Sequence, residues 1–224
     1  MTVDPYLVLV YAHIVLFVYW LGGDLGVYVA AGYVGDRKLG LDERFRFLRL
    51  LMICDMGPRT ALIMLLPLGL EMARLIGVIE IGPAIGGIAW LIGFIWLGAN
   101  WWMFFNERKP FAEKIRIADL YFRYLLIPAI IAVAVYSMAN GGPVVAEWLQ
   151  IKLLFYASAI ALGVYLRTEL KHWIVGFGMI RQGGGDADKG NAMIEGALLR
   201  SRRAALVLWG CVAIAAFLGK VKPF

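Results

Sequence analysis

The 224-residue chain is 62% hydrophobic and only 17% charged, yet its 22 Lys and Arg against 16 Asp and Glu leave a formal net charge of +6. That balance excludes an ordinary soluble domain, in which about half of the residues are apolar and a quarter charged. It excludes a nucleic-acid binder as well: the cations fall into three clusters between long apolar stretches and form no basic surface interleaved with aromatics.

Six helices long enough to cross a bilayer are predicted, at about 20 apolar residues per crossing. The first covers residues 6–31. Its leader, Met1 to Pro5, carries no positive charge, and the apolar run is too long for a secretory signal, so it is expected to remain as a span. The second, 49–76, follows the stretch 37–49, where charges alternate with Leu41, Phe45 and Phe47 as in a helical extension beyond the membrane. Pro58 and Pro67 interrupt this span, and Pro58 predicts a kink near Cys54 because it lacks a backbone donor. The third, 83–104, closes on an aromatic belt of Trp101, Trp102, Phe104 and Phe105. The remaining three are placed at 120–140, 146–169 and 203–220. Residues 182–190, rich in glycine and without an apolar face, read as a flexible loop; the spaced ligands and terminal Glu of a calcium loop are missing.

The expected fold is therefore an all-α integral membrane protein, a six-transmembrane-helix bundle forming one domain over 1–224. Cys54 and Cys211 both lie in apolar runs and offer no disulfide framework. Gly22-Gly23 and Gly86-Gly87 read as points of close helix packing. Phosphate-cradling glycine loops, paired-cysteine metal motifs and nucleophile elbows are absent from the sequence.

Loop charge gives the orientation. Seventeen cations fall in the first, third and fifth loops, against three (Arg74, Lys220 and Lys222) on the other side. The positive-inside rule then puts both termini on the non-cytoplasmic side of a bacterial inner membrane. The basic charge reflects topology and attraction to anionic headgroups.

Ionisable groups inside a span are costly, so each is a candidate for function. At a rise of about 1.5 Å per residue, His13 sits about 10 Å below the outer boundary, and Glu71 and Lys152 lie one to two turns from it. Trp90 and Trp148 flank this layer. A second group, Asp24, Asp55 and Arg59, lies nearer the cytoplasm and is expected to form one ion network, serving either as a helix lock or as a cavity lining. Met52, Cys54 and Met56 resemble soft copper ligands, but Cys54 projects from a different face than the methionine pair. His172 falls about 30 Å from the His13 layer, so one haem within one subunit cannot be held by both histidines; it reads as an interfacial residue.

His13 followed by Trp20-Leu21-Gly22-Gly23 resembles the first helix of the HemJ-type protoporphyrinogen oxidases and the related CopD-type copper-resistance membrane proteins. Trp148-Leu149-Gln150-Ile151-Lys152-Leu153 is similar to their Trp-Leu-x-x-Lys-Leu signature at the start of a later helix. In the HemJ branch the first-helix His and this Lys are the functionally important pair, so the resemblance implies b-haem ligation by His13 and a paired role for Lys152. HemJ-type proteins are typically shorter and carry a Tyr-His pair after this helix core, where here Tyr165 is followed by Leu166 and Arg167. The CopD branch typically offers more Met and His ligands.

The expectation is a membrane redox protein with an outward-side b-type haem or porphyrin site, active in electron transfer or porphyrin oxidation. His13 is its axial ligand. Lys152 is a proton donor or carboxylate partner, Glu71 its counter-charge, and Trp90 and Trp148 are walls. Electrons would pass to a quinone or a partner subunit, in an oligomer or larger complex. Two rivals remain: a copper or small-solute transporter using Met52, Asp55, Met56 and His13, and a cofactor-free structural subunit of a membrane complex.

Overall fold

The computed structural model describes residues 4–224. Six helices account for nearly all of them: α1 (Pro5–Gly35), α2 (Leu41–Leu75), α3 (Pro83–Phe105), α4 (Pro110–Asn140), α5 (Glu147–Gln182) and α6 (Gly185–Val221). All six are long and apolar enough to cross a membrane. Their ends follow local chemistry. The Asp4 side chain accepts from the Tyr6 amide at 2.9 Å and Pro5 opens α1, while Pro83 and Pro110 open α3 and α4, where a missing N–H costs nothing. Gly141 closes α4 in the left-handed conformation, φ +63°. α2 continues through both Pro58 and Pro67.

Each helix packs against its neighbours in sequence, and α6 returns to α1. α2 is the most enclosed, whereas the apolar span of α1 buries little, as expected of a helix that faces lipid. The central core joins Trp20, Leu62, Trp96, Ile160 and Leu208. Because lipid is as apolar as the side chains, association rests on close packing. The α1–α2 crossing shows this. A Cβ on Gly23 would come within 2.5 Å of Pro58 Cδ and 2.9 Å of the Cys54 carbonyl oxygen. Gly23 and Gly86 therefore act as close-packing points; Gly22 and Gly87 have open space around them.

The loops α1–α2, α3–α4 and α5–α6 define a basic face, and both described chain ends lie at the opposite face. There, the α2–α3 and α4–α5 loops join through an isolated bridge between Ile79 and Val144. Gln150 Nε2 donates to the Val144 carbonyl at 2.7 Å and so fixes that loop to α5.

α5 and α6, of 36 and 37 residues, exceed the expected spans. At about 54 Å each they outreach the roughly 30 Å hydrocarbon layer, so the surplus projects from the basic face. The expected flexible loop at 182–190 is instead a tight turn at Gly183 and Gly184, both at positive φ, with the rest helical. The reason is glycine packing. A Cβ on Gly190 would lie 2.5 Å from the Gly176 carbonyl oxygen, so the two backbones touch. The stretch 37–49 is helical from Leu41, as its alternation suggested. Arg44, buried at 3% exposure, ties it down: Nε donates to the Val34 carbonyl at 2.7 Å, Nη1 to Asn191 Oδ1 at 2.8 Å, and the guanidinium lies over Phe177.

Candidate functional site

A cavity of about 410 Å³ opens between α1, α2, α5 and α6 in the half of the bundle away from the basic face. Helical spacing builds it. On α1, His13, Phe17 and Trp20 recur at i, i+4 and i+7 and share one face. On α5, Trp148, Lys152, Tyr156 and Ala159 do the same. α2 contributes Gly69 and α6 contributes Gly219, two positions where side chains are absent and the polar groups opposite have room. A Cβ on Gly69 would touch His13 Cε1 at 3.6 Å, and one on Gly219 would press within 2.5 Å of Lys152 Nζ.

The electrostatics are one-sided. Lys152, Lys220 and Lys222 line this cavity and no carboxylate does. Lys152 forms no ion pair among the described residues; the charge that acts on it is Lys222, of like sign, whose ammonium sits 5.4 Å from the Trp148 ring centre. His13 Nδ1 is buried without a hydrogen-bond partner among the described residues. An imidazole with an unpartnered Nδ1 and an ammonium without an ion pair thus face one apolar-walled space. Its size falls in the range of small-molecule sites, about 300–1,000 Å³.

His13, Lys152 and Trp148 are therefore brought together. Glu71 and Trp90 are not. Glu71 is paired with Arg74 one turn on (Nε at 3.0 Å, Nη2 at 2.6 Å) and faces Gly86 of α3, so it is not the counter-charge of Lys152. The turn of α2 that aims Gly69, Leu70 and Ala73 at the cavity points Glu71 to the other side. Trp90 stacks on Phe94 within α3, and no described residue of α3 lines the cavity that Trp90 was expected to wall.

A second cavity, about 160 Å³, lies toward the basic face. It contains Asp24, Asp55 and Arg59, but not as one triad. Asp55 and Arg59 form an ion pair at i,i+4, whereas Asp24 accepts from Trp20 Nε1 at 3.0 Å. Behind them stands a hub that the sequence reading passed over. Asp119, 5% exposed, takes Trp96 Nε1, Asn100 Nδ2 at 3.3 Å, Arg123 Nε at 3.1 Å and Arg167 Nη1. The available signal was Pro110 as a helix start, which brings Asp119 into α4 as the i,i+4 partner of Arg123. Trp20 and Ala159 line both cavities and form the partition between them.

The soft-ligand set is split. Met52 and Asp55 line the basic-face cavity, Met56 is packed at 3% exposure, Cys54 Sγ abuts Gly26, and His13 belongs to the other cavity. Among the described residues no group of three or more His, Cys, Asp or Glu converges on a metal position. His172 is half exposed near the basic face, 3.6 Å from Glu169.

No protein-family model matches the chain, and neither a curated protein nor a solved structure does.

Proposed function

We propose that this is a multi-pass protein of the bacterial cytoplasmic membrane, basic face inward, whose outer cavity holds a b-type haem or porphyrin for electron transfer or porphyrin oxidation. The observation that carries the reading is the pairing of His13 and Lys152, from helices far apart in sequence, in one apolar cavity where, among the described residues, His13 Nδ1 has no hydrogen-bond partner and Lys152 no ion pair.

The residues present fit such a group. His13 supplies a single imidazole ligand. Lys152, with Lys220 and Lys222, supplies cations for the carboxylates of a porphyrin edge, and among the described residues no carboxylate side chain lines the cavity beside them. Phe17, Trp20 and Trp148 give apolar walls that exclude water. When bound, the group supplies one-electron redox chemistry. Lys152 would hold a carboxylate in register or deliver a proton at Nζ, and a quinone or a partner subunit would be the electron acceptor.

Titration of the detergent-solubilised protein with hemin tests this. Stoichiometric quenching of tryptophan fluorescence is expected, since Trp20 and Trp148 border the site; it is expected to be lost in His13→Ala and about tenfold weaker in Lys152→Ala, from one charged hydrogen bond. Wild-type protein that takes up no hemin would leave the structural-subunit reading in place.

A second reading, a small-solute transporter, is favoured by the Trp20 partition between cavities in opposite halves of the bundle. It predicts solute uptake into proteoliposomes that rises in Trp20→Ala.

A further inference from the structure

We infer that the basic-face cavity is a binding site for a phosphate-bearing anion, the headgroup of an anionic phospholipid or a free phosphate. Three guanidinium groups converge there from three helices: Arg59 of α2, Arg123 of α4 and Arg167 of α5. Arg167 lies within reach of the like charges of both others. Two carboxylates answer them. Asp55 pairs with Arg59, and Asp119 is divided between Arg123 and Arg167. Arg202 of α6 adds a fourth cation to the same lining and has no ion pair among the described residues. Its guanidinium lies over the Tyr28 ring at 5.0 Å, and its Nε is buried without a partner. Arg123, at 3% exposure, also keeps an unpartnered Nη2. The remaining carboxylate of the cavity, Asp24, is engaged by the Trp20 indole.

Cations gathered in a low-dielectric interior with fewer anions repel one another, and unused guanidinium donors there are costly. An anion seated among them supplies the missing charge and acceptors together. The planar guanidinium fork matches phosphate oxygens. The space, about 160 Å³, exceeds by far the roughly 10–15 Å³ that one ordered water needs. Apolar walls such as Val27 and Leu51 continue from the charged group, as an acyl-bearing anion would require. Basic pockets between membrane helices on the cytoplasmic side bind such headgroups. The inference does not depend on the haem reading, since the two cavities share no cation.

Native mass spectrometry of the delipidated full chain tests it. Both lipids carry a phosphodiester, but only phosphatidylcholine brings a quaternary ammonium toward the arginines, so phosphatidylglycerol is expected to bind about tenfold more tightly. Arg167→Gln and Arg202→Gln are each expected to erase that preference. Arg116→Gln, half exposed and paired with Glu113, is expected to keep it. Displacement of phosphatidylglycerol only by millimolar inorganic phosphate identifies a lipid-occupied phosphate site. Binding of inorganic phosphate without any lipid preference supports the site with free phosphate as its source. Should Arg167→Gln fail to fold, Arg202→Gln carries the comparison, because Arg202 has no ion pair to lose. Equal affinity for the two lipids with no response to inorganic phosphate overturns the inference, as does an undiminished preference in both variants.

Discussion

Asp119 carries the heaviest electrostatic duty of any residue in the bundle. Its carboxylate is shared between two arginines, one of them almost fully buried, and receives an indole N–H as well. Asp119→Asn removes the charge while keeping the shape, and leaves Arg123 buried without a counter-charge. The expected cost is about 3–5 kcal/mol, the range for breaking a buried pair by removing one partner. Breaking the exposed Arg116–Glu113 pair is expected to cost less than about 1 kcal/mol. Thermal unfolding of the two variants in one detergent checks the contrast; equal melting shifts would contradict it. Gly219 is a quieter position. A methyl group there meets the mobile end of Lys152, which can move aside, so Gly219→Ala is expected to change stability little and to weaken hemin binding. Unchanged hemin affinity in a folded Gly219→Ala protein would place Lys152 outside the ligand's reach.

At the scale of helices, the decisive contacts are backbone on backbone. Where Gly176 meets Gly190, the added Cβ of alanine runs into a carbonyl oxygen that cannot yield as a side chain tip can. Gly190→Ala is expected to separate α5 from α6 near the turn and cost about 1–3 kcal/mol, the range for overpacking. Increased proteolysis near Gly183 checks it. Depth along each helix was legible in the sequence, because hydropathy and a fixed rise determine it. His13, Lys152 and Trp148, expected at similar depth, line one cavity. Azimuth was not legible. In lipid, the outward and inward faces of a helix are both apolar, so composition does not tell which way Glu71 or Trp90 points. Helix ends were the other blind spot. Asp119 falls one residue outside the predicted 120–140 span, and Arg123 and Arg167, near the ends of theirs, count with the loop cations by charge alone. The 182–190 stretch reads as loose because backbone contact between glycines leaves no apolar signature.

For the whole molecule, the asymmetry of charge and the two cavities point the same way. With the basic face inward, as proposed, the loops at Lys38, Arg108 and Gly183 are expected in the cytoplasm and those at Gly77 and Gly141 outside. Single cysteines introduced at these positions into a chain lacking Cys54 and Cys211 are expected to react with an impermeant maleimide in intact cells only at 77 and 141. The reverse pattern would turn the His13 cavity toward the cytoplasm. Between the faces, Trp20 separates a lysine-rich cavity from an arginine-rich one, and each cavity gathers more cations than anions from its own helices. That arrangement suits a protein that holds anionic groups at two depths. The most direct measurement is the absorption spectrum of the purified full-length protein, oxidised and then reduced with dithionite, beside His13→Ala. A Soret band with a reduced α band, absent from the folded variant, is the predicted result; a colourless wild-type protein that stays colourless after incubation with hemin would contradict the account.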